Sequence, residues 1–489
     1  MRCILVTFDC LPVTALACYG NPWARTPSFD RLACDGTLFE NCFSSQVPAA
    51  VLDNAPSPAA LTEAGICSLN AAGVLAELRA RGVTTCVVSD HPLPADLLRQ
   101  CDTAETVDGM NTWDVPISET GAGRLFATAA QVLERLHDHP SFLLWVRSVG
   151  VANANPSSQA AVLLQEHLNA YRQRTLEVLQ AERRRKRRDG EPEPVFEGPD
   201  ADDQPTFVDR PSLFLRLGTR ATHAFHSWAQ QRAEGLLSPS TAVDGGEGAR
   251  AGATIDASAP TPLLEHWLFD AAVTQLDLAF GPFWSRCRNV LDDRTLAFVA
   301  GLFGRERGER AWVNHLRALR GAPAQPFSAV HEELVHVPLW AFGKPFPAAK
   351  RSPVLIQTDD ISATLTAFSR GCAESLHVSP LVSSMPHRRL VIRGADGSRA
   401  VRTPEHALIV PPHTSPPEAS AAMSDSVCRT DGGPDRIGRP SDEVTAVEAA
   451  PSPHWQLFLK PEDRWEVNDV SATHGDMCKE LYHWLSGKS

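Results

Sequence analysis

Runs of apolar residues without polar alternation recur along this chain. Ile4 to Phe8 leads into Asp9, and similar runs cover Val83 to Val88, Phe142 to Val146 and Thr295 to Ala300. A short apolar run of this kind reads as a strand buried on both faces. Between the runs lie stretches with helical spacing, at Ala71 to Arg81 (followed by Gly82), Gln131 to His137 and Asp270 to Val290. Asp292 and Asp293 read as a turn before the last of these strands. The alternation predicts an α/β domain with a largely parallel sheet. An exposed helix is expected from about Leu163 to Arg188, and a terminal helix at Asp476 to Leu485.

Three stretches break this pattern. Residues 183–206 pass from a basic run, Arg183 to Arg188, into a segment rich in Pro, Glu and Asp. Residues 238–262 are rich in Gly, Ala, Ser and Asp, and residues 412–453 carry Pro, Ser and Asp with few large apolar groups. All three have the composition of mobile loops or linkers. The expected organisation is an α/β domain over 1–370, with a mobile insertion at about 183–262. A C-terminal subdomain follows over 371–489, with a flexible stretch at 412–453. No internal repeat is visible.

Composition narrows the function classes. The 489 residues suffice for a large core, and 43% hydrophobic with 21% charged is a globular balance. A net charge of -12 argues against general affinity for nucleic acid or anionic lipid. No apolar stretch reaches the ~18 residues of a membrane span. The start runs straight into the first strand without a small-residue cleavage site, so a cytoplasmic location is expected. The twelve cysteines are scattered singly, without a C-x-x-C pair, and read as reduced, mostly buried small hydrophobes.

Particular segments add a resemblance. Asp9 is followed by Ala17-Cys18-Tyr19-Gly20-Asn21-Pro22-Trp23, then Thr26-Pro27-Ser28-Phe29-Asp30-Arg31-Leu32-Ala33, then Gly36-Thr37-Leu38-Phe39-Glu40-Asn41. That succession resembles the sulfatase family within the alkaline-phosphatase superfamily. Its members place a metal-binding Asp at the end of strand one, then a CYGN-type turn, then a TPNLDRLA-type helix. Further segments are similar to family elements in the same order. They are Leu75 to Val88, Pro140 to Val146, Val273 to Asp277, His331 to Leu339, Thr358 to Leu365, Val401 to Pro404 and Leu457 to Asp469. The resemblance implies a mixed, mostly parallel sheet with helices on both faces and a small C-terminal α+β subdomain.

The same resemblance implies a site that this chain does not repeat. A C/S-x-P-x-R motif should carry the residue matured to formylglycine, but around Pro48 the nucleophile and Arg positions hold Gln46 and Ala50. Asp9 is the one expected metal ligand present, and Cys10 replaces a frequent second carboxylate. The second metal pair falls on Leu302 and Phe303, before Gly304, and apolar side chains cannot coordinate a hard cation. Ser89-Asp90-His91-Pro92 puts an acid where a sulfate-binding Lys is implied. Gly150 to Pro156 lacks the implied His, and Phe327 stands where a Lys is implied.

Each remaining polar residue also has a bland reading. Asp9 is a metal ligand or a cap at the end of strand one, His91 a loop residue, and Asp292-Asp293 a structural turn. Ser44 and Ser45 offer hydroxyls near the missing nucleophile, without a base or arginine at useful spacing. The run Arg183 to Arg188, with Tyr171, Arg172 and Arg174 upstream, is a solvated helix end or a surface for an acidic partner.

Three functions follow as expectations. The first is a non-catalytic pseudosulfatase, with no catalytic residue and no cofactor, that works by binding a protein partner or a small anionic ligand. The second is a hydrolase of sulfuric or phosphoric esters rebuilt around Asp9, Asp90, His91 and a serine, with calcium or magnesium as cofactor. The third is an interaction protein working through the basic-acidic insertion at 160–260. No membrane partner is expected, and nucleic acid is disfavoured.

Overall fold

In a computed structural model, the described residues are 1–48, 69–109, 115–149, 262–370, 379–383, 388–412 and 455–485, without 22, 308, 320, 322 and 326, together with scattered positions between 151 and 177. The insertion expected at 183–262, its basic run and the stretch 413–453 lie outside them.

The central strand is β1 (Arg2–Phe8), with no residue exposed. The other strands of its sheet are β2 (Thr37–Phe43), β4 (Thr84–Ser89), β5 (Thr103–Thr106), β6 (Phe142–Ser148), β7 (Thr295–Gly301), β8 (Leu339–Phe342) and β9 (Lys350–Gln357). The eight strands run in the order β5-β4-β6-β1-β7-β8-β2-β9. Only β8 is antiparallel to its neighbours, so the sheet is mixed and mostly parallel as expected. The apolar runs at 83–88, 142–146 and 295–300 all fall in strands.

Because side chains alternate across a strand, β1 feeds two cores. Cys3 and Leu5 face one, Ile4, Val6 and Phe8 the other. The second core is covered by α1 (Pro27–Asp35), α4 (Gly121–Arg135) and α5 (Pro262–Val290). The helix expected over 131–137 begins at Gly121, where Thr120 Oγ1 accepts from Gly123 N at 3.1 Å. Its Gly- and Ala-rich first turns carry too little apolar periodicity to mark that start.

Aromatic rings fill this core. The Phe280 centroid lies 5.4 Å from those of Phe29 and Phe126, 5.9 Å from Trp284 and 6.1 Å from Phe8. Helices α1 and α5 cross at Gly281, where a Cβ would sit 2.6 Å from Ser28 Oγ. One turn earlier, Asp277 accepts from Ser28 N at 3.0 Å and Phe29 N at 2.7 Å, closing the free N–H groups at the start of α1.

The first core is covered by α2 (Ala71–Ala80), α8 (Asp359–Ser369) and one face of a second sheet. That sheet contains β3 (Gln46–Val47), β10 (Leu390–Gly394), β11 (Arg399–Arg402), β12 (His406–Val410) and β13 (Gln456–Leu459), ordered β13-β12-β11-β10-β3. It is antiparallel apart from β3, which joins β10 in parallel. Helix α9 (Gly475–Leu485) packs Cys478 and Leu481 against Val401, Leu408 and Leu457. Short helices α3 (Ala95–Leu98), α6 (Glu309–Leu319) and α7 (Glu332–Val335) complete the described elements used below.

A buried ionic cluster ties the two sheets together. Arg402, at the end of β11, donates to Glu332 on α7 and, at 2.7 Å, to Glu466 Oε1. Lys460 Nζ lies 3.1 Å from Glu332 and 3.4 Å from Glu466. His331 Nδ1 is 3.0 Å from Glu466, and His336 Nδ1 is 2.7 Å from Glu332. Arg310 of α6 grips Glu333 with two bonds of 2.9 and 2.8 Å.

Burial works to raise both central carboxylates. Lys460 and Arg402 overcome it for Glu332, and Arg402 and Lys460 for Glu466, so both sit well below the ordinary 4.5. A depressed folded-state value contributes stability above the unfolded value and loses it as pH falls towards the folded one. The urea midpoint should therefore drop steeply below roughly pH 5, after a rise just below neutrality as raised carboxyls such as Asp9 take up protons. A midpoint with no such drop down to roughly pH 3 would show that Glu332 and Glu466 do not support the folded state.

Candidate functional site

In open α/β sheets, ligands bind beyond the C-terminal ends of the strands where chain direction reverses. Here those are the ends of β1, β6 and β7. The chain leaves β1 through Asp9 and Cys10, and the backbone of Cys10 has φ 61°. Asp9 N donates to Ser148 O at 2.9 Å, and Leu302 N donates to Phe8 O at 2.9 Å. The three strand ends are thus stitched together through positions 9, 148 and 302.

The side chain facing Asp9 is Arg147. It is the one charged residue in the strand FLLWVRS, paired in register with Thr7 and fully buried. Its Nη2 donates to Asp9 Oδ2. Asp9 Oδ1 is buried without a hydrogen-bond partner among the described residues. Burial pushes the Asp9 carboxyl up to about 7, Arg147 pulls it down and nearby Asp90 pushes it further up. The carboxylate thus faces a guanidinium rather than the backbone N–H groups of a turn.

Asp90, which stands where a lysine is implied, turns inward. Its Oδ2 accepts from Ser148 Oγ at 2.7 Å and its Oδ1 from Val149 N at 2.8 Å. Burial raises this carboxyl too, against those two donors and Arg147. His91 is partly exposed, with Nδ1 3.2 Å from Pro92 O, a contact within its own loop. Asp292 caps its turn by accepting from Thr295 Oγ1 at 2.6 Å and Arg294 N at 2.9 Å.

At the implied second metal pair, Leu302 and Phe303 are both 0% exposed and belong to the first core. Gly304 follows because a Cβ there would meet Glu333 O at 2.0 Å, while its N–H bonds Leu334 O at 2.7 Å. The loop after β7 is thereby locked onto α7 with its apolar side chains inside. Phe327 is 46% exposed, its ring 6.4 Å from that of His331.

At the implied nucleophile, Gln46 is an exposed residue of β3, in register with Arg393. The neighbouring hydroxyls are engaged elsewhere. Ser44 Oγ donates to Gln46 O at 2.7 Å, and Ser45 Oγ donates to Asp359 Oδ1 at 2.8 Å. Positions 49–54, 150 and 152–158 lie outside the described residues, and with them Ala50 and the implied His segment.

The described residues do not fit a hard divalent cation at this position. One oxygen of Asp9 is already held by Arg147, and Leu302 and Phe303 offer no donor atom. Burial and the neighbouring Asp9 push the Cys10 thiol up to about 12, so it stays protonated. Among the described residues, no group of three or more His, Cys, Asp and Glu side chains is arranged to hold a metal.

Sequence reading singled out Asp9, Asp90, Leu302 and Phe303 but not Arg147. A lone charge inside an otherwise apolar, doubly buried strand must find a counter-ion. That was the available signal.

No protein-family model matches this chain, and no curated protein matches it in sequence. Its fold is sulfatase-like. A protein solved in complex with its substrate D-glucosamine-2-N,6-O-disulfate superposes with a TM-score of 0.54 at 14% identity, over 100% of this chain and 97% of that one. The protein yidJ of Bacteroides fragilis, assigned as a sulfatase, gives 0.53 at 14% identity, over 99% and 95%. The phosphonate monoester hydrolase of Agrobacterium radiobacter gives 0.50 at 13%, over 99% and 95%. At these identities the likeness speaks to the fold alone. Among the described residues, no helix is long and apolar enough to cross a membrane.

Proposed function

We propose that this sulfatase-like protein is not a hydrolase and works instead by binding a protein partner or a small anionic ligand. One observation carries the reading: Leu302 and Phe303 are fully buried core residues where the fold would need oxygen donors. Ester hydrolysis on this scaffold needs an activated nucleophile and charge stabilisation for the leaving oxygen. Gln46 supplies no nucleophile, and the Ser45 hydroxyl is engaged in a 2.8 Å hydrogen bond to the Asp359 carboxylate.

An active form would be a hydrolase of sulfuric esters, the chemistry suggested by the structural neighbours, and it would have to use polar residues other than those implied. The deciding experiment incubates the purified full-length chain with aryl sulfate and aryl phosphate esters, with and without calcium and magnesium. The expected result is no release above buffer. Turnover by the native chain that disappears in an Asp9→Asn variant shown to remain folded would establish the rebuilt hydrolase instead.

A further inference from the structure

We infer that Arg147 is a built-in cation for this cleft, so that the chain holds together the ends of β1 and β6 without any divalent metal. Three observations converge on it. First, the guanidinium is placed against a buried carboxylate. It donates to Asp9 Oδ2 and acts electrostatically on Asp90, whose two oxygens are held by Ser148 Oγ at 2.7 Å and Val149 N at 2.8 Å.

Second, Arg147 and Asp9 are each 0% exposed, so solvent ions cannot neutralise that pair. A buried carboxylate without a partner is far costlier than a paired one. Third, among the described residues, the two positions of the implied second metal pair offer no donor atom. Leu302 and Phe303 are apolar and packed into the first core.

Arginine suits this role because its guanidinium remains charged at every physiological pH and donates in fixed directions. A divalent ion must be acquired and can be lost, whereas Arg147 arrives with the chain. The ends of β1 and β6 therefore share a fixed positive charge that neither chelation nor metal supply can change.

The inference stands apart from the proposed function. An enzyme that turned over esters while indifferent to metal would overturn the function and leave this inference intact. The test has two parts. The dialysed full-length protein is analysed for calcium, magnesium, manganese and zinc, and melted in EDTA and in millimolar calcium or magnesium. Metal well below one equivalent and the same melting temperature in all conditions is the expected result. One equivalent of bound metal, or a melting temperature that falls by several degrees in EDTA, overturns the inference.

The second part compares Arg147→Met with the double variant Asp9→Asn/Arg147→Met. The single variant should melt many degrees lower or fail to accumulate. The double variant should recover part of the loss, because the Asp9 charge is no longer left unpaired, although Asp90 still loses its neighbouring cation. A double variant as damaged as the single one would show that Arg147 does not serve Asp9, and would also overturn it.

Discussion

Replacing Arg402 with alanine should remove about 3–5 kcal/mol of stability, the usual result when one partner of a buried ionic group is lost. Arg402 is 1% exposed and reaches both Glu332 and Glu466, which are themselves buried. Its removal leaves Lys460, with Arg310 3.6 Å from Glu466, to balance two carboxylates in a dry site. It also removes the guanidinium lying 4.9 Å from the centre of the Phe43 ring. Arg402→Lys should be nearly as damaging, since an ammonium cannot bridge two carboxylates as a planar fork does. Urea unfolding at neutral pH measures both. A loss below about 1 kcal/mol, the scale of an exposed ion pair, would mean that water enters the cluster freely.

Phe280→Ala should cost a similar amount, about 3–5 kcal/mol, for a different reason. The ring is fully buried on α5 and lies within reach of Phe8, Phe29, Phe126, Phe283 and Trp284. Deleting it opens a cavity between three helices and β1 that rigid neighbouring rings cannot collapse to fill. Phe280→Leu keeps most of the volume and should recover much of the loss. The two variants, compared by urea unfolding, separate cavity cost from hydrophobic transfer. A loss for Phe280→Ala no larger than that of Phe280→Leu would show that the aromatic core repacks.

These two sites differ in how readily the sequence announces them. The aromatic core sits on elements whose periodicity is plain, because strands buried on both faces leave long apolar runs. The sheet class and the sulfatase-like fold were legible for the same reason, with the in-order segments from Asp9 to Asp469 adding to it. The misfit of Leu302 and Phe303 to a metal also showed directly, since the implied ligands are named by position.

What did not show was the partner of each buried charge. Arg147 and Asp9 meet only because β1 and β6 align Thr7 with Arg147, a register no local pattern encodes. Glu332, Arg402 and Glu466 were visible as segments similar to family elements, but their convergence depends on the second sheet closing. The strand β3 was invisible for a simpler reason: two residues have no period.

That short strand bears on how the molecule is made. Ser45 precedes β3 and bonds Asp359, which lies 314 positions further along. At ribosomal rates of roughly 5–20 residues per second, the wait for that partner lasts on the order of 15–60 s. During that interval the segment must remain soluble with its backbone groups served by water. The exposed Gln46 and the adjacent serines suit such a delay better than an apolar strand would. This short stretch thus forms one of the last seams to close as the chain leaves the ribosome.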